Sequence, residues 1–224
     1  MPANTLVFFP GYAFSSSIFS HVRDDFSADV ILIDWQKKLS VDEINQHLPD
    51  NAILIGWSIG SMMAAILCEK FPHKYRKLIT ICSNPAWIAN DNWPGMQSAD
   101  FIHFMQLAAD DPKKLLQQFL KLVNGRDRHT TELREHLLMI EPANLLFYLQ
   151  WMQQDQRVLY QQLQLPVLHL LGDRDYLVPA SCANLLAQHY PAHKVQSIPD
   201  AGHIPFLTHR NEFVTHVRNF IDAE

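Results

Sequence analysis

Short apolar runs recur along the chain, at residues 5–9 (TLVFF), 29–35 (DVILIDW), 52–56 (AILIG), 78–82 (LITIC), 166–172 (PVLHLLG) and 193–198 (HKVQSI). A strand with one wet face alternates apolar and polar residues, whereas near-continuous apolar runs suit strands covered on both faces. Elsewhere the spacing changes. Residues 40–48, 60–71, 181–190 and 211–221 have the length and apolar spacing of amphipathic helices. Strands alternating with helices predict an α/β fold with a mostly parallel central sheet flanked by helices.

The pattern breaks between about residues 84 and 165, where no run reads as a strand and residues 98–111, 112–125, 129–140 and 144–163 all read as helical. This segment is expected to be a helical lid inserted before the last two strands of a single domain spanning 1–224. Nothing repeats at a fixed period and no low-complexity stretch marks a linker.

The 224 residues suffice for one sizeable core, and 48% hydrophobic with 18% charged residues is the composition of a globular chain. A formal charge of −5 argues against a nucleic-acid partner. Cys68, Cys82 and Cys182 are odd in number and widely separated, so neither a disulfide framework nor a zinc site is expected. The start, MPANTLVFFPGYAF, lacks a basic leader region, and the apolar runs are too short to span a bilayer. The expectation is a cytoplasmic protein without a membrane partner.

Chemistry enters at residues 52–61, AILIGWSIGS, where a strand pattern ends on one serine between two glycines and a helix pattern begins. Gly56-Trp57-Ser58-Ile59-Gly60 matches G-x-S-x-G, in which a strained strand-to-helix turn exposes the serine and crowds the flanking backbone until only glycine fits. A serine capping an ordinary turn explains Ser58 and one glycine, but not both in a chain with seven glycines. The Ile59 N–H would then face an anion at the helix start.

The motif resembles the nucleophile elbow of the α/β-hydrolases, and the resemblance implies a chain order of serine, acid, histidine, each on a loop after a strand. Residues 170–179, LLGDRDYLVP, offer Asp173 and Asp175, and the G-x-x-D-x-hydrophobic-V-P pattern selects Asp175. Residues 198–206, IPDAGHIPF, offer His203. Of the twelve histidines, His209 reads as a solvated or capping residue and His169 as a packed strand residue. The second oxyanion donor is expected after the first strand, in FFPGYAFSSSIF, as the Tyr12 N–H beside Gly11; its ring reads equally as pocket wall or core.

GWSIGS, GDRDYLVP and AGHIPFLTH, with NDNWPGM at 90–96, together resemble the carboxylesterases of biotin synthesis that cleave the methyl ester of pimeloyl-acyl-carrier protein. The resemblance covers most of the chain. It implies a serine esterase needing no cofactor or metal, with catalytic Ser58, Asp175 and His203, and with Trp57, Tyr12 and Arg134 toward the substrate. It further implies a small-molecule or carrier-bound acyl ester as substrate, acyl-carrier protein as a partner, and a monomer. The basic residues are Lys113, Lys114, Lys121, Arg126, Arg128 and Arg134, against Asp127, Glu132 and Glu135; their bland reading is a solvated helical face. Phe101, Phe104, Met105, Phe147, Tyr148, Trp151 and Met152 read as packing of lid on body, or as an acyl channel.

The chain departs from the family in three places: Pro10-Gly11 stands where His-Gly is usual, Ser61 follows Gly60 where a glycine is usual, and IDWQKKLS replaces a D-x-P-G-x-G-x-S loop. The rival functions are a general short-chain esterase or thioesterase of the same fold and, further off, a menaquinone-pathway lyase or a non-catalytic binding protein. An aspartate-dependent dehalogenase is disfavoured by the serine at 58.

Overall fold

The computed structural model describes residues 4–36, 39–126, 129–138 and 140–223. Strands β1 (Thr5–Phe9), β2 (Asp29–Leu32), β3 (Ile53–Trp57), β4 (Lys77–Ile81), β5 (Val167–Gly172) and β6 (Lys194–Ile198) form one parallel sheet in the order β2-β1-β3-β4-β5-β6. Side chains alternate across a strand, so the apolar pentads divide between two faces. Val7, Phe9, Leu54, Leu78 and Leu171 belong to one buried cluster. Leu6, Phe8, Ile53, Ile55, Ile79 and Leu170 belong to the other. Every residue of β3, β4 and β5 is buried, while the edge strands β2 and β6 are partly exposed.

The first face packs against α2 (Val41–Gln46), α3 (Ile59–Lys70) and α9 (Cys182–His189), through Ile44, Met62, Met63 and Leu186. The second packs against α1 (Ser20–Arg23) and α11 (Arg210–Asp222), through Val22, Phe213, Val217 and Phe220. Ser40 and Glu43 form a reciprocal cap at the start of α2. Buried Lys77 donates to Phe220 O at 2.9 Å, to Ile221 O at 3.0 Å and to Ala223 O, closing the carbonyl end of α11. Burial also lowers the Lys77 pKa.

Between β4 and β5 lie α4 (Ser98–Asp110), α5 (Pro112–Asn124), α6 (Thr130–Glu135), α7 (Pro142–Trp151) and α8 (Arg157–Gln162). Asp111 separates the first two: its carboxylate accepts from Lys114 N at 3.0 Å, and Pro112 opens α5. The stretch 144–163, read from sequence as helical throughout, is two helices. Gln156 N leaves the helical pattern to donate to Pro85 O at 2.8 Å, and the Asp155 side chain accepts from Arg157 N at 3.0 Å to start α8. The helical insertion is tied to the loop after β1 by Ser15 N to His136 O and Leu138 N to Ala13 O, both 2.8 Å, and by Tyr12 Oη to Leu145 O at 3.0 Å.

The strand order reverses direction between β1 and β3, and such a reversal opens a crevice beyond the carboxyl ends of the strands. The loops holding Tyr12, Ser58, Asp175 and His203 all leave from carboxyl ends.

Candidate active site

Ser58 stands between β3 and α3 with φ 55° and ψ −128°, a conformation that costs a side-chain-bearing residue ~1–3 kcal/mol. Two glycines make the turn possible. A Cβ on Gly56 would run into the Ser61 backbone, and one on Gly60 into the carbonyls of Phe9 and Pro10. Ser58 N donates to Ile81 O at 2.8 Å, which pins the strained residue to β4. The Ser58 side chain makes no capping bond to α3, so the simple N-cap reading does not describe it. The Ser61 hydroxyl, the departure from the usual glycine, is absorbed by Gly56 O at 2.7 Å.

The acid and histidine loops meet behind this turn. Asp175 Oδ2 accepts from His203 Nδ1 at 2.7 Å, with both side chains almost wholly buried. Its other oxygen accepts from Leu177 N at 2.7 Å and Val178 N at 3.1 Å, so the carboxylate cannot rotate away from the ring. Asp173 is exposed. With Nδ1–H on Asp175, His203 carries its lone pair on Nε2, the tautomer a base needs. Nε2 is buried without a hydrogen-bond partner among the described residues, so the bond to Ser58 is not closed in this structure. Such contacts often tighten only around substrate.

Trp57 takes a different place from the one expected of a substrate residue. It is fully buried, donates from Nε1 to His203 O at 2.8 Å, and packs on Phe14 and Phe206. It braces the histidine loop from behind. Tyr12 is both wall and core: its ring lines the cavity, meets Phe119 edge-on at 5.2 Å, and its hydroxyl, held protonated by burial, reaches Leu145 O. Among the described residues, neither the Tyr12 N–H nor the Ile59 N–H donates to a protein acceptor. Arg134 is exposed on α6 and does not line the cavity.

Ser58 opens onto a narrow apolar cavity of ≈ 20 Å³ between body and insertion, with Tyr12, Ile59, Phe104, Leu149 and Met152 among its walls. A wider groove of ≈ 510 Å³ adjoins it, sharing Met96, Phe104 and Leu177. Of the insertion residues singled out by sequence, Phe101, Phe104 and Met152 line the cavity, whereas Phe147, Tyr148 and Trp151 line a separate outer groove. Lys113, Lys114, Lys121 and Arg126 are exposed; Arg128 and Asp127 lie outside the described residues. Glu132 is engaged by His129 at 2.7 Å and His21 at 3.0 Å.

Sequence reasoning passed over three contributors. Gln36 is buried and hydrogen-bonded to the loop after β1. Trp87 lines the cavity, with an indole N–H that has no partner among the described residues. Cys82 Sγ lies with one ligand atom each of Asp175 and His203 inside 4.8 Å. Burial first, and the Asp175 charge second, push the Cys82 thiol well above its ordinary range. Only a polar residue directly after an apolar run hinted at Gln36.

The fold and the serine elbow together define a hydrolase of the α/β class. The chain belongs to the α/β-hydrolase fold family, which matches residues 9–210. It is 31% identical over 188 residues to a pimeloyl-[acyl-carrier protein] methyl ester esterase of Aeromonas hydrophila, covering 80% of this chain and 74% of that protein. It is 36% identical over 198 residues, 80% of the chain, to a biotin biosynthesis bifunctional protein of Teredinibacter turnerae, spanning 34% of that longer protein. A hydrolase from Oleispira antarctica superposes with a TM-score of 0.91 at 16% identity, covering 100% of this chain and 93% of that one, which is a likeness of fold.

Proposed function

We propose that this carboxylic ester hydrolase cleaves the methyl ester of pimeloyl-acyl-carrier protein, a step of biotin synthesis, through Ser58, His203 and Asp175. The observation that carries the reading is the strained Ser58 at the wall of an apolar cavity, with the Asp175–His203 pair joined behind it. The names of the relatives supply the substrate.

In the proposed reaction His203 Nε2 takes the Ser58 proton while Oγ attacks the ester carbonyl. The Tyr12 and Ile59 N–H groups hold the oxyanion, and Asp175 steadies the imidazolium. The protonated ring then gives its proton to the departing methoxide, leaving an acyl-serine. Water, deprotonated by the same ring, attacks that acyl group and frees the acid and the serine. The helices between β4 and β5 serve as the lid over the acyl chain, within a single domain. The exposed Lys113, Lys114, Lys121, Arg126 and Arg134 offer the acidic carrier a cationic surface. Among the described residues no helix is long and apolar enough to cross a membrane.

A competition assay tests the substrate: pimeloyl methyl ester on carrier protein against free short-chain esters. Higher kcat/KM for the carrier-bound ester is expected. Equal or lower kcat/KM would favour a general short-chain esterase or thioesterase.

A further inference from the structure

Tyr12 lies between two peptide groups, and the orientation of each is set from outside. A trans peptide is planar with its C=O and N–H pointing to opposite sides. Whatever holds Gly11 O therefore aims the Tyr12 N–H, and whatever holds the Ala13 N–H aims the Tyr12 carbonyl. One side chain reaches both, joined at Gly11 O by the weaker donation of Phe14 N at 3.2 Å. Gln36 Nε2 donates to Gly11 O at 2.7 Å, Gln36 Oε1 accepts from Ala13 N at 2.7 Å, and Nε2 also donates to Phe14 O at 3.3 Å. Two carbonyls beside Nε2 and an N–H beside Oε1 admit only this orientation of the amide.

The surroundings reinforce the clamp. Gln36 is 2% exposed, so its hydrogen bonds face little competition from water. Trp35 Nε1 donates to Pro10 O at 3.0 Å. Ala13 sits at φ 60°, a left-handed conformation disfavoured for alanine, with its carbonyl taken by Leu138 N at 2.8 Å. A flip of the Gly11–Tyr12 peptide would break the bond to Gln36 and present a carbonyl where an N–H is needed. The chain reaches this arrangement because β2 ends at Leu32 and residues 34–36 turn across the loop after β1.

We propose that Gln36 is a positioning residue that locks the Tyr12 N–H in its donating orientation. The proposal rests on the reading of Ser58 as nucleophile and Tyr12 as oxyanion donor.

The test measures kcat and KM on a p-nitrophenyl ester, the Ki of a trifluoromethyl ketone that adds Ser58 as a tetrahedral oxyanion, and the melting temperature. The proteins are wild type, Gln36→Leu, Gln36→Glu and Ser58→Ala. Gln36→Leu is expected to lower kcat about a hundredfold, the usual effect of losing one oxyanion donor. KM should change little and the Ki should rise in step with the loss of kcat, because the lost interaction belongs to the transition state. Gln36→Glu is isosteric and keeps the acceptor for Ala13 N while losing both donations; it should lose about tenfold or more in kcat and carries the test if the leucine variant does not fold. A folded variant with wild-type kcat would overturn the proposal, as would a loss of kcat that leaves the Ki unmoved. Turnover persisting in Ser58→Ala would instead bring down the underlying site reading, and the role of Gln36 with it.

Discussion

The sheet body and the helical insertion hold their residues in different ways. In the body, every residue of β3, β4 and β5 is buried, and the Asp175 carboxylate is held by Leu177 N, Val178 N and His203 Nδ1. In the insertion, apolar side chains face the cavity on one side, while Ile102, Phe147 and Val158 stay exposed on the outside. Bond-making chemistry needs atoms held to a fraction of an ångström, which a doubly covered parallel sheet provides. Choice among substrates is made at the cavity walls, to which the insertion contributes Phe104, Leu149 and Met152. Changes in the body should therefore act on kcat, and changes in the insertion on KM and on the choice of substrate.

The largest effect expected from that division comes from the acid. Asp175→Asn keeps the bond geometry but favours the wrong imidazole tautomer, and should lower kcat by about 10⁴-fold with the fold intact by circular dichroism. A loss confined to KM would mean that the acid loop belongs with the insertion in function.

The next effect concerns stability rather than rate. His169 on β5 is buried against Thr80 at 2.7 Å and His193 at 3.1 Å, with the Tyr160 and Tyr190 rings tilted against it. Burial first, and His193 second, hold its pKa down to about 3. The unfolded ring titrates near ~6.5, so below that pH the unfolded chain binds a proton that the folded one refuses. The contribution is complete above the unfolded value and is lost as pH falls toward the folded one, by up to about 1.4 kcal/mol per pH unit. Urea titrations at stepped pH should show this slope in wild type and a shallower one in His169→Gln. Equal slopes would show that the ring is protonated in the fold.

The smallest effect is expected at the insertion surface. Arg134→Ala should leave turnover of a free short ester unchanged and raise KM for the carrier-bound ester by a few-fold, with a salt dependence, since a rim charge contributes chiefly to encounter. A fall in kcat on the free ester would show that α6 reaches the chemistry.

The same contrast explains what the sequence disclosed. The apolar runs locate the strands to within a few residues: β3, β4 and β5, buried along their whole length, read as continuous apolar segments, whereas the run at the partly exposed β2 extends three residues beyond the strand. Loop position and glycine spacing single out Ser58, Asp175 and His203 as candidates, and the structure joins the last two at 2.7 Å. The break within residues 144–163 was not legible. No proline or glycine marks it; it arises from Gln156 N reaching Pro85 O, a contact between distant parts of the chain. The resemblance alone places Trp57 toward the substrate, and its side chain turns into the core beside Phe206. Gln36 is marked in the sequence only as a polar residue directly after an apolar run, and its contacts appear only once residues 10–14 are folded against it.

The central claim is that Ser58 is the nucleophile served by His203. Reaction of the folded protein with a fluorophosphonate, followed by peptide mass spectrometry, tests it most directly. A single adduct on the peptide carrying Ser58, lost in His203→Ala, is the predicted result; an adduct elsewhere, or none on folded protein that still hydrolyses esters, would contradict it.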